Sequence, residues 1–364
     1  VSRRSQRAAL AVVLATAVAL VVAALVLYQR AVTYPSRPLG PAGQKVTFTI
    51  PRGLNFTRVA ALLQQQGMIS SPVALRIYAN YKGVAGKVRA GTYTLDRNLT
   101  PKHLLEVLVH GVPAPTVRVL IPEGKTMLDV AGILAAAGIA PRQELVKEMF
   151  NRRLLRRIGV PTGAESVEGY LFPDTYKLKA PTPAQEVLQK LVARHRGVYY
   201  ALVARHREAI AKLRKKLRWG HHEIVTMASI VEKETGQPHE RPLIAGVFLN
   251  RLTFGSFYPK LLQTDPTIIY GCTVPEWRSP ACRKFKGRIR RIQLTDEQNP
   301  YNTYTHSGLP PGPIANPGRA SLEAVLAPKK SRFLYFVSKN DGTHHFSRTE
   351  EEHERAVDKY QRGK

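Results

Sequence analysis

The hydrophobic and polar positions change period several times along the chain, and each change marks an element. From Ala8 to Leu27 an apolar run is interrupted only by Thr16, about the 20 residues a single helix needs to cross a hydrocarbon core of roughly 30 Å. Arg3, Arg4 and Arg7 precede the run, and Arg30 and Arg37 are the nearest charges after it, a bias that predicts a cytoplasmic N-terminus. A cleaved signal peptide is the competing reading, but the apolar core of a signal usually spans about 7 to 15 residues. The pattern therefore predicts a tail and one uncleaved anchor over residues 1–30. Tyr34 to Gln44 (YPSRPLGPAGQ) is rich in Pro and Gly and reads as a linker over 31–45.

Two copies of one βα pattern follow. Val46 to Gly67 (VTFTIPRGLNFTRVAALLQQQG) aligns with Val117 to Gly138 (VRVLIPEGKTMLDVAGILAAAG) at an offset of 71 residues. Each copy has an alternating strand ending in Ile-Pro-x-Gly, then a helical pattern stopped by Gly. Two copies are too few for a solenoid. Between them, Ser71-Pro72 and Thr100-Pro101 each precede an apolar helical stretch; the hydroxyl can cap free amides, and Pro fits the first helical position. Lys87 to Leu95 (KVRAGTYTL) reads as the strand separating them. The expected class is α+β: a single N-terminal transmembrane helix, a small βα module over 46–112, and a mixed α+β domain over 113–364.

The tail after Phe333 reads as strand, turn at Asp341-Gly342, strand and final helix. Long Pro- and Gly-rich stretches from Asn250 to Gly318 read as functional loops rather than filler.

Charge changes the picture less than its size suggests. With 55 Lys+Arg against 26 Asp+Glu the formal net charge is +29, which resembles the footprint of a nucleic-acid binder. The predicted topology argues against that partner, because an extracytoplasmic domain meets envelope polymers and lipid headgroups first. In one basic stretch, Pro183 to Arg218, the hexapeptide LVARHR occurs twice, at Leu191–Arg196 and Leu202–Arg207. Eleven residues are about three helical turns, so the basic residues are expected to recur on one solvated helix face, with contact to a membrane surface or polymer as the alternative.

Candidate chemistry centres on His222 to Gly236 (HEIVTMASIVEKETG). On a helix with Ala228 at 0°, Glu232 falls at roughly 40°, inside the apolar arc, and Glu234 at roughly −120°, on its edge. A carboxyl against an apolar face is expected to stay protonated and act as a general acid; a Glu satisfied by an Arg or a backbone donor is the structural alternative. Glu234 is expected to support an ion pair. Gln263-Thr264-Asp265 and Tyr301-Asn302-Thr303-Tyr304 place amides, hydroxyls and aromatic faces in loops, the groups that hold sugars. No HExxH, Gly-x-Ser-x-Gly, P-loop or GxGxxG pattern is present, and no metal or cofactor is expected.

Ala228–Thr235 (ASIVEKET), Leu262–Gly271 (LQTDPTIIYG) and Tyr301–Gly318 (YNTYTHSGLPPGPIANPG), together with Glu168–Tyr176 (EGYLFPDTY) and Tyr335–Phe346, resemble in fixed order the YceG-like endolytic murein transglycosylases, the MltG family. The small module at 46–112 resembles the LysM type of glycan-binding domain. The resemblance implies a lyase that cuts the β-1,4 bond between N-acetylmuramic acid and N-acetylglucosamine of nascent strands, leaving 1,6-anhydro ends. It implies Glu232 as the acid and base, Gln263, Asp265, Tyr301, Asn302 and Tyr304 as cleft residues, and peptidoglycan synthases as partners at the inner membrane. A non-catalytic glycan-binding tether is the alternative. The chain departs from the family pattern in a longer segment between Arg251 and Gln263 and in a basic insertion after Gly271 holding Cys272 and Cys282, which are expected to form a disulfide outside the cytoplasm, two unpaired thiols being the alternative.

Overall fold

The computed structural model describes residues 3–111 and 116–363. The chain forms two compact units, Val1–Ala114 and Pro115–Lys364. Helix α1 (Arg3–Thr33) opens the first. The stretch Thr16–Ser36, which is α1 from Thr16 onward plus the short turn that follows it, is long and apolar enough to cross a membrane, and no part of its apolar window is buried in the protein. Such a helix has no polar face to give to water. The segment after it is not a free linker. Tyr34 sits edge-on to Tyr78 at 6.3 Å, and the Leu39 amide donates to the Leu99 carbonyl at 3.0 Å.

The rest of the first unit is β1 (Lys45–Ile50), α2 (Phe56–Gln65), α3 (Pro72–Tyr81), β2 (Gly91–Asp96) and α4 (Pro101–His110). The strands pair antiparallel from Lys45 opposite Asp96 to Ile50 opposite Gly91, which sets Phe48 against Tyr93 with rings 5.6 Å apart. Asn55, Ser71 and Thr100 cap their helices through their side chains. The strand expected from Lys87 begins only at Gly91. Pro51 follows the last residue of β1 and has no amide for a ladder, and the Arg89 amide instead bonds the Leu108 carbonyl of α4 at 2.9 Å.

The second unit repeats the opening motif. It runs β3 (Thr116–Leu120), α5 (Met127–Ala136), α6 (Arg142–Met149), α7 (Arg152–Ile158), β4 (Thr175–Lys179), α8 (Ala184–Arg205), α9 (Arg207–Leu217) and α10 (His221–Glu234). Then follow α11 (Arg241–Thr253), α12 (Asp265–Thr273), α13 (Pro280–Arg283), α14 (Arg291–Leu294) and α15 (Arg319–Leu326), and finally the hairpin β5 (Tyr335–Ser338) and β6 (His344–Ser347) with α16 (Glu350–Val357). β3 pairs antiparallel with β4. The 71-residue offset holds in three dimensions: Gly53 and Gly124 turn with φ of 81° and 71°, and Gly67 and Gly138 stop their helices with φ of 68° in both.

Helix α10 lies in the middle of the core. Ile224, Val225, Met227, Ala228, Ile230 and Val231 are all buried, and so are Thr226 and Ser229. It is thus covered all round rather than on one arc. The two hydroxyls tolerate this because each donates to a carbonyl of the preceding turn, Thr226 to His222 at 2.8 Å and Ser229 to Thr226 at 2.7 Å.

The two LVARHR copies take different conformations, contrary to the expectation of one continuous face. The first stays within α8, with its His195 buried and 3.0 Å from the His221 ring. The second breaks the helix at His206, whose φ and ψ are −114° and 38°. There His206 and Arg205 both reach Glu323 of α15 at 3.3 Å.

Cys272 and Cys282 are bridged and, with Ile268, seal a small apolar cluster under the basic loop. The bridge joins α12 to α13. Closing a loop of about ten residues restricts the unfolded chain by about 2 to 3 kcal/mol. Replacing both cysteines by Ala should therefore lower unfolding stability by about that amount in urea titrations, and envelope-derived protein should resist maleimide until reduced.

Candidate active site

The last turn of α10 opens into a cleft of about 290 Å³ whose wall includes Glu123, Glu232, Glu234 and Arg241. The Glu232 side chain is 5% exposed. It does not rest on an apolar face: Arg241 donates to its Oε1 at 3.3 Å, and the Gly318 amide donates to its Oε2 at 2.9 Å. A carboxylate at a helix C-terminus faces the negative end of the dipole. The guanidinium from the first turn of α11 and the amide at the start of α15 offset that cost and fix the rotamer.

Glu123 adds a second carboxyl, half-exposed and 3.9 Å from the same Arg241 nitrogen. Partial burial raises its proton affinity and the charge on Glu232 raises it further, while Arg241 opposes both. It comes from the Ile-Pro-Glu-Gly turn between β3 and α5, where the first repeat copy carries Arg52. A Cβ on residue 318 would stand 1.9 Å from Glu123 Oε1, so any other residue there would push the Glu123 carboxyl out of its present place.

Behind the cleft lies Glu168, from the Glu-Gly-Tyr-Leu-Phe-Pro stretch, fully buried. Both its oxygens are 3.0 Å from the Met127 amide at the start of α5. Asn316 Nδ2 donates to it at 3.0 Å and the Tyr270 hydroxyl at 3.2 Å. Burial nevertheless pushes its carboxyl up to about 8, so near neutrality it largely holds a proton. Tyr301 stacks obliquely on Tyr270 at 4.8 Å and so belongs to this side of the site.

Gln263, Asp265 and Tyr304 gather around Glu234 instead. Thr264 donates its hydroxyl to Glu234 Oε1, Arg251 donates to Gln263 Oε1 at 3.3 Å, and Tyr304 donates to Asp265 Oδ1 at 2.7 Å. Gln263 takes φ of 54°, an uncommon conformation for a residue with a side chain. Glu234 forms no ion pair among the described residues, against expectation. Burial, reinforced by the charge of Asp265, raises its carboxyl to about 7. Asn302 is wholly buried: its amide donates to the carbonyls of Gln293, Leu294 and Asp296 and its oxygen accepts from the Tyr304 amide. It staples the loop from inside instead of facing the cleft.

None of the five loop residues hydrogen-bonds to Glu232. Its direct partners, Arg241 and Gly318, are not among the site residues expected from the sequence, nor are Glu123, Glu168 and Asn316, although Glu168, Asn316 and Gly318 lie in the motifs that carry the family resemblance. The one available signal for Glu123 was the Arg-to-Glu difference between repeat copies. Among the described residues no three His, Cys, Asp or Glu side chains converge as metal ligands.

Two groups of buried sites titrate in opposite senses. Glu168 and Glu234 hold protons in the folded state up to about 8 and about 7 against an ordinary 4.5; their contribution to stability is full below about pH 4.5 and is lost as pH rises towards those values. His195 and His221, pushed down to about 3 and about 4 from 6.5 mainly by burial, withdraw stability as pH falls below about 6.5. The melting temperature of Glu234→Gln should therefore fall less than that of the wild type between pH 5 and pH 8, in calorimetric scans at constant ionic strength.

Residues 48–359 match the family described as YceG-like. The chain is 30% identical over 328 residues to an endolytic murein transglycosylase of Bacillus subtilis, covering 86% of this chain and 84% of that protein. It is 28% identical over 347 residues to one of Streptococcus pneumoniae, covering 86% of this chain and 58% of that longer protein. A crystal structure of a YceG-like protein from Listeria monocytogenes superposes with a TM-score of 0.54 at 29% identity, over 86% of this chain and 99% of that one. With the motif order, the repeated βα opening and the Glu232 cleft in place, these matches make the chain a member of the YceG-like family.

Proposed function

We propose that the protein is a membrane-anchored endolytic peptidoglycan lytic transglycosylase that cuts the β-1,4 bond between N-acetylmuramic acid and N-acetylglucosamine of nascent strands, leaving 1,6-anhydromuramoyl ends. The observation that carries this reading is the Glu232 carboxyl, buried at a polar cleft with one oxygen on Arg241 and the other on the Gly318 amide. Protonated Glu232 delivers its proton to the glycosidic oxygen as the C1–O bond breaks. The resulting carboxylate is held in place by those two donors and takes the proton of the C6 hydroxyl as that oxygen closes on C1. One carboxyl thus serves both steps, and the substrate's acetamido group can share the positive charge at C1. Glu123, near the same Arg241 nitrogen as Glu232, is placed to accept from a sugar hydroxyl and compete for the guanidinium.

In this reading α1 spans the inner membrane with the N-terminus cytoplasmic, the LysM-like module over 46–112 holds glycan, and that module and the second unit lie outside the cytoplasm, where a disulfide persists. Peptidoglycan synthases, which make the strands, are the expected partners. Cuts near the membrane would end strand elongation.

Mass analysis of products from purified peptidoglycan tests the chemistry. Wild type should release anhydro ends; reducing ends would mean that water is the acceptor, and strand binding without products would favour the tether. Glu232→Gln should bind strands but lose at least about 10² to 10⁴ in rate, while Glu234→Gln, which only accepts from Thr264, should stay within about tenfold of wild type. For topology, protease added to intact spheroplasts should digest everything after about Gln44 and leave Arg3 and Arg4 on the membrane-bound fragment; a mature chain starting near Tyr28 would contradict the anchor.

A further inference from the structure

The broken second LVARHR copy shapes a feature that the cleft chemistry does not use. A groove of about 630 Å³ runs between the α8–α9 junction and the segment after α15. Its floor is apolar and partly open to solvent, made of Ala209, Leu213, Leu249 and Pro328. Its rim carries Arg207, Lys212 and Lys330, and these three form no ion pair or side-chain hydrogen bond among the described residues. Arg205 shares Glu323 with His206, and Glu208 is the one acidic residue in the lining. The outer face of α9 continues the positive field with exposed Arg214, Lys215 and Lys216. The groove meets the C-terminal end of α15, whereas Gly318 and Glu232 meet its start; eight residues of helix place the two about 12 Å apart.

We infer that this groove is a docking site for anionic phospholipid of the bilayer that α1 spans, with phosphate on the Arg207, Lys212 and Lys330 rim and the apolar floor against the glycerol and first acyl carbons. Charge complementarity selects an anion. The apolar floor selects an amphiphile over a purely polar wall polymer, which would leave Leu213 and Leu249 wet. A basic helix with an apolar side lies in a membrane interface for the same two reasons, and each Lys or Arg near an anionic surface favours contact by about fivefold. The inference rests on the anchoring of α1, not on the transglycosylase chemistry. Docking would hold the second unit against the leaflet, in addition to its covalent tether.

The test uses the full chain in nanodiscs of phosphatidylcholine with or without 30 mol% phosphatidylglycerol (about one lipid in three, the range of an anionic leaflet), each with a trace of diazirine-bearing lipid. After illumination, adducts mapped by mass spectrometry should fall at 204–213 and 325–330 with phosphatidylglycerol, about tenfold above the phosphatidylcholine yield, and at 16–36 with both. Combined Arg207→Glu, Lys212→Glu and Lys330→Glu should remove the groove adducts, keep those at 16–36, and leave turnover of soluble strands unchanged. Groove adducts equal for the two lipids, or absent while 16–36 is labelled, would overturn the docking. Absence of adducts at 16–36 would overturn the anchor itself. Protection of the 207–217 amides from hydrogen exchange by soluble polyphosphate in detergent, equal to that by phosphatidylglycerol, would assign the groove to a polyanion and also overturn it.

Discussion

Asn316 is the point through which the cleft is assembled. Its side-chain oxygen accepts from the Leu171 amide at 2.8 Å, and its nitrogen donates to the Lys125 carbonyl at 2.9 Å and to Glu168 at 3.0 Å. Its backbone accepts from the Gly124 amide and donates to the Lys125 carbonyl. One buried amide thus fixes three loops that are far apart in sequence: Ile-Pro-Glu-Gly, Glu-Gly-Tyr-Leu-Phe-Pro and Asn-Pro-Gly. Two residues later the Gly318 amide points at Glu232. Side-chain amides suit this work because they donate and accept in one plane without carrying charge into the core, and Asn302 performs the same task one loop away.

Around that staple the unit concentrates carboxyls in unlike environments. Glu232 has an Arg and an amide, Glu168 has neutral donors, and Glu234 has one hydroxyl. The same side chain thereby becomes an anchored carboxyl in the cleft wall, a buried hub and a proton-holding support. An unpaired charge in such places would be costly. Raised proton affinity at Glu168 and Glu234 is how the fold avoids that cost without adding cations to the interior. The cations stay at the surface instead: α8 and α9 alone carry nine Lys and Arg against two Glu, and all nine are exposed.

Helix caps, turn glycines and the 71-residue repeat are legible because they are local: Ser71 and Thr100 act on amides within the next turn, and the glycines answer to their own φ. Lys87–Val88–Arg89 were misread because a strand needs a partner, and the partner ended at Pro51. The inward bonds of Asn302 are not legible, because a loop amide can face a ligand or a carbonyl with equal local propriety. The second LVARHR copy was misread because a helical repeat carries no sign of the Glu323 that draws His206 out of line.

The sequence by itself determined the apolar span, the α+β class, the capped helices, the family and the placement of Glu232 in the final turn of α10, since periodicity, capping and motif order are written within a few residues of where they act. Only the tertiary structure decided what surrounds Glu232. Arg241 lies nine residues on and Gly318 eighty-six; Glu123 precedes it on another loop. Helical angles predict which way a side chain leaves its own axis, but a buried carboxyl's chemistry depends on donors brought by other segments, and long-range packing alone sets those.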